Sequence, residues 1–219
     1  NWKANGQGSV NTDGSTDSLY TSASPTSGFS IVTYTGNGAN RTIGHGLGIA
    51  PKMIITKQYN GTRSWYVGAD SIGWGSELYL DSTAASAGSP STFNSTAPTN
   101  SVFSIGSGSA ANSNGETFIA YCFADVQGFR PAWVMIKREQ SGKGWIIMDN
   151  KRIGYNPDNE QLVANSSGAE YANNYIDFLS NGFKIRDTNQ DVNTSGNSYT
   201  YMAFGQPIVS TNNDIATAR

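Results

Sequence analysis

Pro51-Lys52-Met53-Ile54-Ile55-Thr56-Lys57 returns later in the chain as Pro131-Ala132-Trp133-Val134-Met135-Ile136-Lys137. The spacing of 80 residues (131−51) then holds, because Trp65 answers to Trp145 and Phe103 to Phe183. After a small insertion, Thr117-Phe118-Ile119-Ala120-Tyr121 aligns with Thr200-Tyr201-Met202-Ala203-Phe204. Self-similarity of this kind marks an architecture in which one supersecondary unit is used more than once. Such arrays suit reach and display better than a single buried reaction centre.

Outward from these runs, the chain reads as short strands separated by polar turns. Residues 29–34 alternate apolar and polar positions as a half-buried strand does, and 35–40 supply a Gly/Asn turn. Gly44-His45-Gly46-Leu47-Gly48 is a second glycine-rich turn. Strands are then expected over 53–57, 65–67, 77–81, 102–105 and 116–123, with Asn60-Gly61 as a hairpin signal. A long Ser/Thr/Ala/Pro loop covers 82–100, anchored by Phe93. The second copy predicts strands over 133–137, 145–148, 161–164, 175–179, 183–186 and 199–204. It lacks a counterpart to the opening strand of the first copy, so it is expected to borrow a strand or to pack directly on the first.

The resulting expectation is an all-β fold of tandem antiparallel β-sandwich units, jelly-roll or lectin-like. Residues 28–126 form the first and 127–219 the second, with 1–27 as an extended N-terminal linker carrying one or two short strands. Trp2-Lys3-Ala4 can be laid against Phe123-Ala124-Asp125, so the chain reads as a piece of something longer that begins with the end of a preceding copy.

Composition agrees with strands. The 219 residues are 37% hydrophobic and 11% aromatic, enough for a core, but only 14% charged, and glycine alone contributes 25. Helix-favouring Glu, Lys and Arg are scarce, so little helix is expected. With 14 basic and 16 acidic residues, and no basic cluster longer than Lys151-Arg152, the chain lacks the stripe that a nucleic-acid surface needs. No apolar stretch approaches the roughly 20 residues that span a bilayer, so no membrane insertion is expected. Cys122, the single cysteine, lies in an apolar run and reads as a buried small hydrophobe.

Catalytic chemistry finds few residues to work with. A Ser-His-Asp arrangement would depend on His45, the one histidine, which sits in a glycine turn and reads as a structural residue, with a ligand contact as the other role. One His and one Cys cannot make a zinc centre, so neither a metal site nor a cofactor is expected. Residues 187–193 superficially follow a calcium loop but lack its glycine and closing glutamate, and are read as a polar turn. Asp70, Glu77, Asp81, Asp149 and Asp158 are acidic, yet their spacing selects no glycosidase pair. The glycine loops lack the Lys-Ser/Thr or dinucleotide spacing of phosphate cradles.

Aromatic side chains on a neutral Asn/Ser/Thr surface are the remaining resource, since they can stack on the apolar faces of sugar rings. Trp65 and Trp145 occupy equivalent positions and are assigned to the core. Trp74 and Tyr155, beside Gly73 and Gly154 in loops that differ between copies, are the surface candidates for ligand contact, together with His45.

Residues 2–6, 28–38, 44–53 and 128–137 resemble a repeat domain common in predicted tail-fibre and other virion proteins of bacteriophages, especially marine ones. The likeness runs over nearly the whole chain. It implies a non-enzymatic virion appendage, a tail-fibre or receptor-binding part located on the particle and outside the cell. Its expected partners are other virion proteins and a host surface glycan, with the chain in a homo-oligomer, a trimer by resemblance. The other readings are a carbohydrate-binding module of a secreted bacterial protein and a ligand-free capsid or tail decoration.

Overall fold

A computed structural model describes residues 4–126, 130–152, 156 and 160–206. The fold is all-β and β-sandwich-like, with antiparallel sheets throughout the described residues. The chain divides into two compact units, one of Asn1–Asp81 with Ser86–Val126, the other of Ser82–Ala85 with Gln127–Arg219.

The first unit contains β1 (Tyr20–Ser24), β2 (Phe29–Thr35), β3 (Arg41–Gly44), β4 (Pro51–Gln58), β5 (Tyr66–Ala69), β6 (Ser76–Tyr79), β7 (Ala87–Gly88), β8 (Val102–Ile105) and β9 (Thr117–Ala124). Its large sheet runs β1-β2-β9-β4-β5-β6-β7, and β3 pairs with β8 as a separate ribbon. Alternation decides which side chains face the ribbon: Val32 and Tyr34 of β2 share one core with Phe118, Ala120 and Cys122 of β9 and with Ile43, Phe103 and Ile105 of the ribbon. Tyr34 stacks on Phe118 with centroids 5.5 Å apart, and its hydroxyl donates to the Ala111 carbonyl at 2.8 Å. Phe93 anchors the long loop as expected, fully buried beside Trp74. The glycine at 68 is required there, because a Cβ would stand 2.7 Å from the Phe93 ring.

The second unit contains β10 (Arg130–Arg138), β11 (Trp145–Asp149), β12 (Glu160–Val163), β13 (Tyr171–Ala172), β14 (Ile176–Leu179), β15 (Gly182–Ile185) and β16 (Tyr199–Gln206). Its sheet runs β13-β12-β11-β10-β16, with β14 and β15 paired separately. That order repeats β7-β6-β5-β4-β9 of the first unit. The register breaks at the same place in both copies, between Pro51 and Met53 and between Pro131 and Trp133. A proline has no N–H for the ladder, so a bulge beside it at the strand start costs little.

Two expectations are corrected. The match of residues 117–121 with 200–204 is replaced by strand pairing, which sets Phe123 opposite Met53 and Phe204 opposite Trp133, an offset of 81 (204−123). Within the segment read as linker, residues 20–24 form β1, one of the short strands expected there, and Ser9 bridges Thr21 at its edge. The turn expected to begin at Gly44 starts later, because Gly44 closes β3 opposite Val102. A single α-helix among the described residues, α1 (Ser109–Asn112), interrupts the turn before β9. The proposed echo at Trp2 and Lys3 lies outside the described residues.

Candidate functional site

The face of the first unit's large sheet that points away from the shared core carries Phe29, Ile31 and Thr33 of β2 and Ile119, Tyr121 and Phe123 of β9. They pair across the sheet as Phe29 with Phe123, Ile31 with Tyr121 and Thr33 with Ile119. Alternation assigns them to this side because Val32, Tyr34, Phe118 and Ala120 take the other. Tyr121 stacks on Trp65 at 6.2 Å and 26°, and on Phe29 at 6.5 Å and 11°. Phe29 in turn lies 5.1 Å from Phe123. The result is an aromatic row in which Trp65 and Tyr121 are half-buried while Phe29 and Phe123 are buried.

Lys57 holds the turn that delivers Trp65. Its ammonium donates to the Gly61 carbonyl at 2.9 Å and to the Arg63 carbonyl. Burial raises the Tyr121 phenol above its ordinary pKa, so the ring stays neutral at physiological pH. Next to the row, an open groove of about 460 Å³ is lined by Ala4, Gly6, Gln7, Tyr20, Ser22, Ile31 and Thr33. The Ser22 hydroxyl donates to the Gly6 carbonyl at 2.9 Å, and Ser9 and Thr21 exchange backbone bonds, which pins the groove's outer wall. Tyr20 is 57% exposed above it. Planar rings beside hydroxyls and an amide make a surface that can take an apolar face of a ligand and hydrogen-bond its rim.

Of the three residues read from sequence as ligand contacts, Trp74 and His45 are buried within the first unit and take no part in this surface. Trp74 is only 6% exposed and packs edge-on against Phe93 at 5.7 Å, with its indole N–H donating to Asp70 at 3.3 Å. Its expected surface position is corrected: the 3₁₀ turn Asp70–Ile72 and Gly73, at φ 73°, fold the indole inward. His45 is fully buried. Its Nδ1 accepts from the Leu47 N–H at 3.2 Å and its Nε2 faces the Thr99 carbonyl at 3.1 Å, so both ring nitrogens are occupied by backbone. Burial lowers its pKa and keeps it neutral. Tyr155 lies outside the described residues.

Three of the acidic candidates have separate partners. Asp70 pairs with Lys52 at 2.8 Å, which with the Trp74 hydrogen bond holds its pKa down. Glu77 is buried and accepts from Tyr79 at 2.7 Å and Thr92 at 2.6 Å, while Asp149 accepts from Arg152 at 2.7 Å. Asp158 lies outside the described residues. In the 187–193 turn, Asp187 and Asn189 turn their side-chain oxygens onto backbone N–H groups at 2.9 and 2.8 Å. Cys122 is buried, and burial pushes its thiol up to about 12.

Sequence reading missed Tyr121 because it lay inside a run taken as core. The parity of Phe118-Ile119-Ala120-Tyr121-Cys122 carries the signal, since alternate members must face opposite sides. Trp65, assigned to the core by its equivalence with Trp145, is half-buried, whereas Trp145 is fully buried.

Comparison with known protein families returns one described as a domain of unknown function, DUF7483, matched by residues 1–130 and again by 126–207. No curated protein and no solved structure matches the chain.

Proposed function

The chain belongs to the DUF7483 family, and on that premise we propose that it is a non-enzymatic appendage module of a bacteriophage virion, a tail-fibre or receptor-binding part. It works outside the host cell as tandem lectin-like β-sandwich repeats that present a surface for adhesion. The observation that carries this reading is the duplication itself: two family matches in succession and two sheets with one strand order. Repetition multiplies weak contacts, and linking such contacts raises avidity by roughly 10² to 10⁴ with no new contact type. The other virion proteins and copies of this chain in a homotrimer are the proposed partners, because closed symmetry brings equivalent patches to one end of a fibre. Localisation on intact particles with an antibody against this chain tests the proposal. Label on a tail or surface appendage is expected; label confined to bacterial secreted material would overturn it.

A second reading, a carbohydrate-binding module of a secreted bacterial protein, is favoured by the aromatic row Trp65-Tyr121-Phe29. The two readings share the ligand chemistry and differ in the polypeptide that carries the module. Finding this chain fused to a catalytic domain would select the second.

A further inference from the structure

The two units differ at one sheet edge. In the first, β9 lies between β4 and β2, so both of its edges are paired. In the second, its equivalent β16 ends the sheet, and among the described residues it pairs only with β10.

The direction of the exposed groups follows from one hydrogen bond. Glu139 N–H, just past β10, donates to the Ser198 carbonyl at 3.1 Å, so Ser198 faces β10. Alternate residues of a strand direct their backbone groups to opposite neighbours. Tyr199, Tyr201 and Ala203 therefore aim N–H and C=O away from β10. Their counterparts in the first unit are Phe118, Ala120 and Cys122, which lie opposite Tyr34, Val32 and Ser30 of β2.

The other edges of the two large sheets are blunted. The strands β7 and β13 have two residues each, and β1 carries the Ser9 bridge. By contrast β16 has eight residues, Tyr199–Gln206, with no charge and no proline. Natural edge strands are ordinarily protected by shortness, charge, proline or cover. Tyr201 is 59% exposed and sits edge-on to Phe183 at 5.2 Å, so an aromatic anchor stands on this strand. Ala203 is exposed as well.

We propose that β16 is a strand-accepting edge, and that its occupant is a β2-type strand from a further DUF7483 module. The incoming strand runs antiparallel to β16 in the register that β2 keeps with β9, placing Ser30-, Val32- and Tyr34-like residues opposite Ala203, Tyr201 and Tyr199. Main-chain bonds supply affinity, and alternate side chains meeting Tyr201 and Phe183 supply selectivity. This inference stands on the topology and is independent of where the protein resides.

The probe is a synthetic peptide with the sequence of residues 28–35, added to the whole chain and followed by fluorescence anisotropy and by amide hydrogen exchange. Saturable binding is expected, with exchange at Tyr201 and Ala203 slowed about tenfold or more at saturation. A scrambled peptide should do neither. Ala203→Pro removes an outward N–H, which an edge strand tolerates, and should abolish binding while circular dichroism stays native. If that variant does not fold, Tyr201→Lys serves instead, since a charge at the edge opposes pairing. Equal binding of the scrambled peptide, or no binding, overturns the proposal. So does slow exchange at these amides without peptide, which means that the chain covers its own edge. A concentration-dependent dimer lost in Ala203→Pro, without peptide binding, makes the occupant the β16 edge of a second copy instead of a β2-type strand and overturns it equally. None of these outcomes bears on particle localisation.

Discussion

Asn112 closes α1 with all four hydrogen-bonding positions of its amide filled. It donates to the Ala39 and Gly106 carbonyls at 2.8 and 2.7 Å, and accepts from the Arg41 guanidinium and the Asn37 N–H, each at 2.9 Å. The sequence marks 112–115 as a turn but says nothing of this staple, because its partners lie up to 75 residues away. Asn112→Ala should lower the unfolding free energy by about 2–4 kcal/mol, read by urea titration, because buried groups lose their partners. A loss below about 0.5 kcal/mol would show that water replaces the amide. His45 makes a second residue-scale prediction. Its folded pKa is depressed, so the unfolded chain binds the proton first as pH falls below about 6.5. Stability is therefore present above that pH and is lost on acidification until the folded pKa is passed. A His45→Gln variant should flatten this acid slope in thermal melts between pH 8 and 5; an unchanged slope would assign it elsewhere. Cys122, buried and protonated, should resist iodoacetamide in the native state and react once the chain is unfolded.

At the scale of elements, the repeated lysine shows how one position serves two environments. Lys57 and Lys137 hold the same place in β4 and β10, but Lys57 reaches two turn carbonyls while Lys137 is fully buried with the Arg138 carbonyl. Burial, with Arg138 nearby, depresses the Lys137 pKa to about 8. The unfolded chain holds that proton up to about 10.4, so stability should rise between pH 8 and 10. The difference between wild type and Lys137→Met isolates the contribution from the tyrosines, and a rise of equal size in both would refute it. The junction of β2 and β9 makes a steric prediction: a Cβ at Gly36 would meet the Ser113 carbonyl oxygen at 2.0 Å, whereas at Gly88 nothing lies within 4 Å. Gly36→Ala should cost about 2–4 kcal/mol and Gly88→Ala less than about 0.5. The strand alignment also belongs here. Correcting the β9–β16 offset from 83 (200−117) to 81 (204−123) moves the match by two residues, so every side chain keeps its face. The pattern of alternation was legible without coordinates, but the partner residues were not.

For the whole molecule, a chain with 14% charged residues and a net charge of −2 predicts that the proposed adhesion ignores salt. Binding to a host glycan through stacking should change less than about threefold between 50 and 500 mM salt, because screening acts on charge pairs. Trp65→Ala and Tyr121→Ala should each weaken it, and glycan-array or calorimetric data showing no loss would remove the aromatic row from the site. Most strands, the duplication and the Phe93 anchor could be read from the chain itself. These depend on local alternation and on self-similarity, which a sequence displays directly. The burial of Trp74 and His45, the outward stack of Tyr121 on Trp65, and the place of β16 at the end of its sheet among the described residues were decided only in three dimensions. Each arises where residues far apart in the chain meet or fail to meet, and apolar character alone does not specify which side chain is covered or which strand has a neighbour.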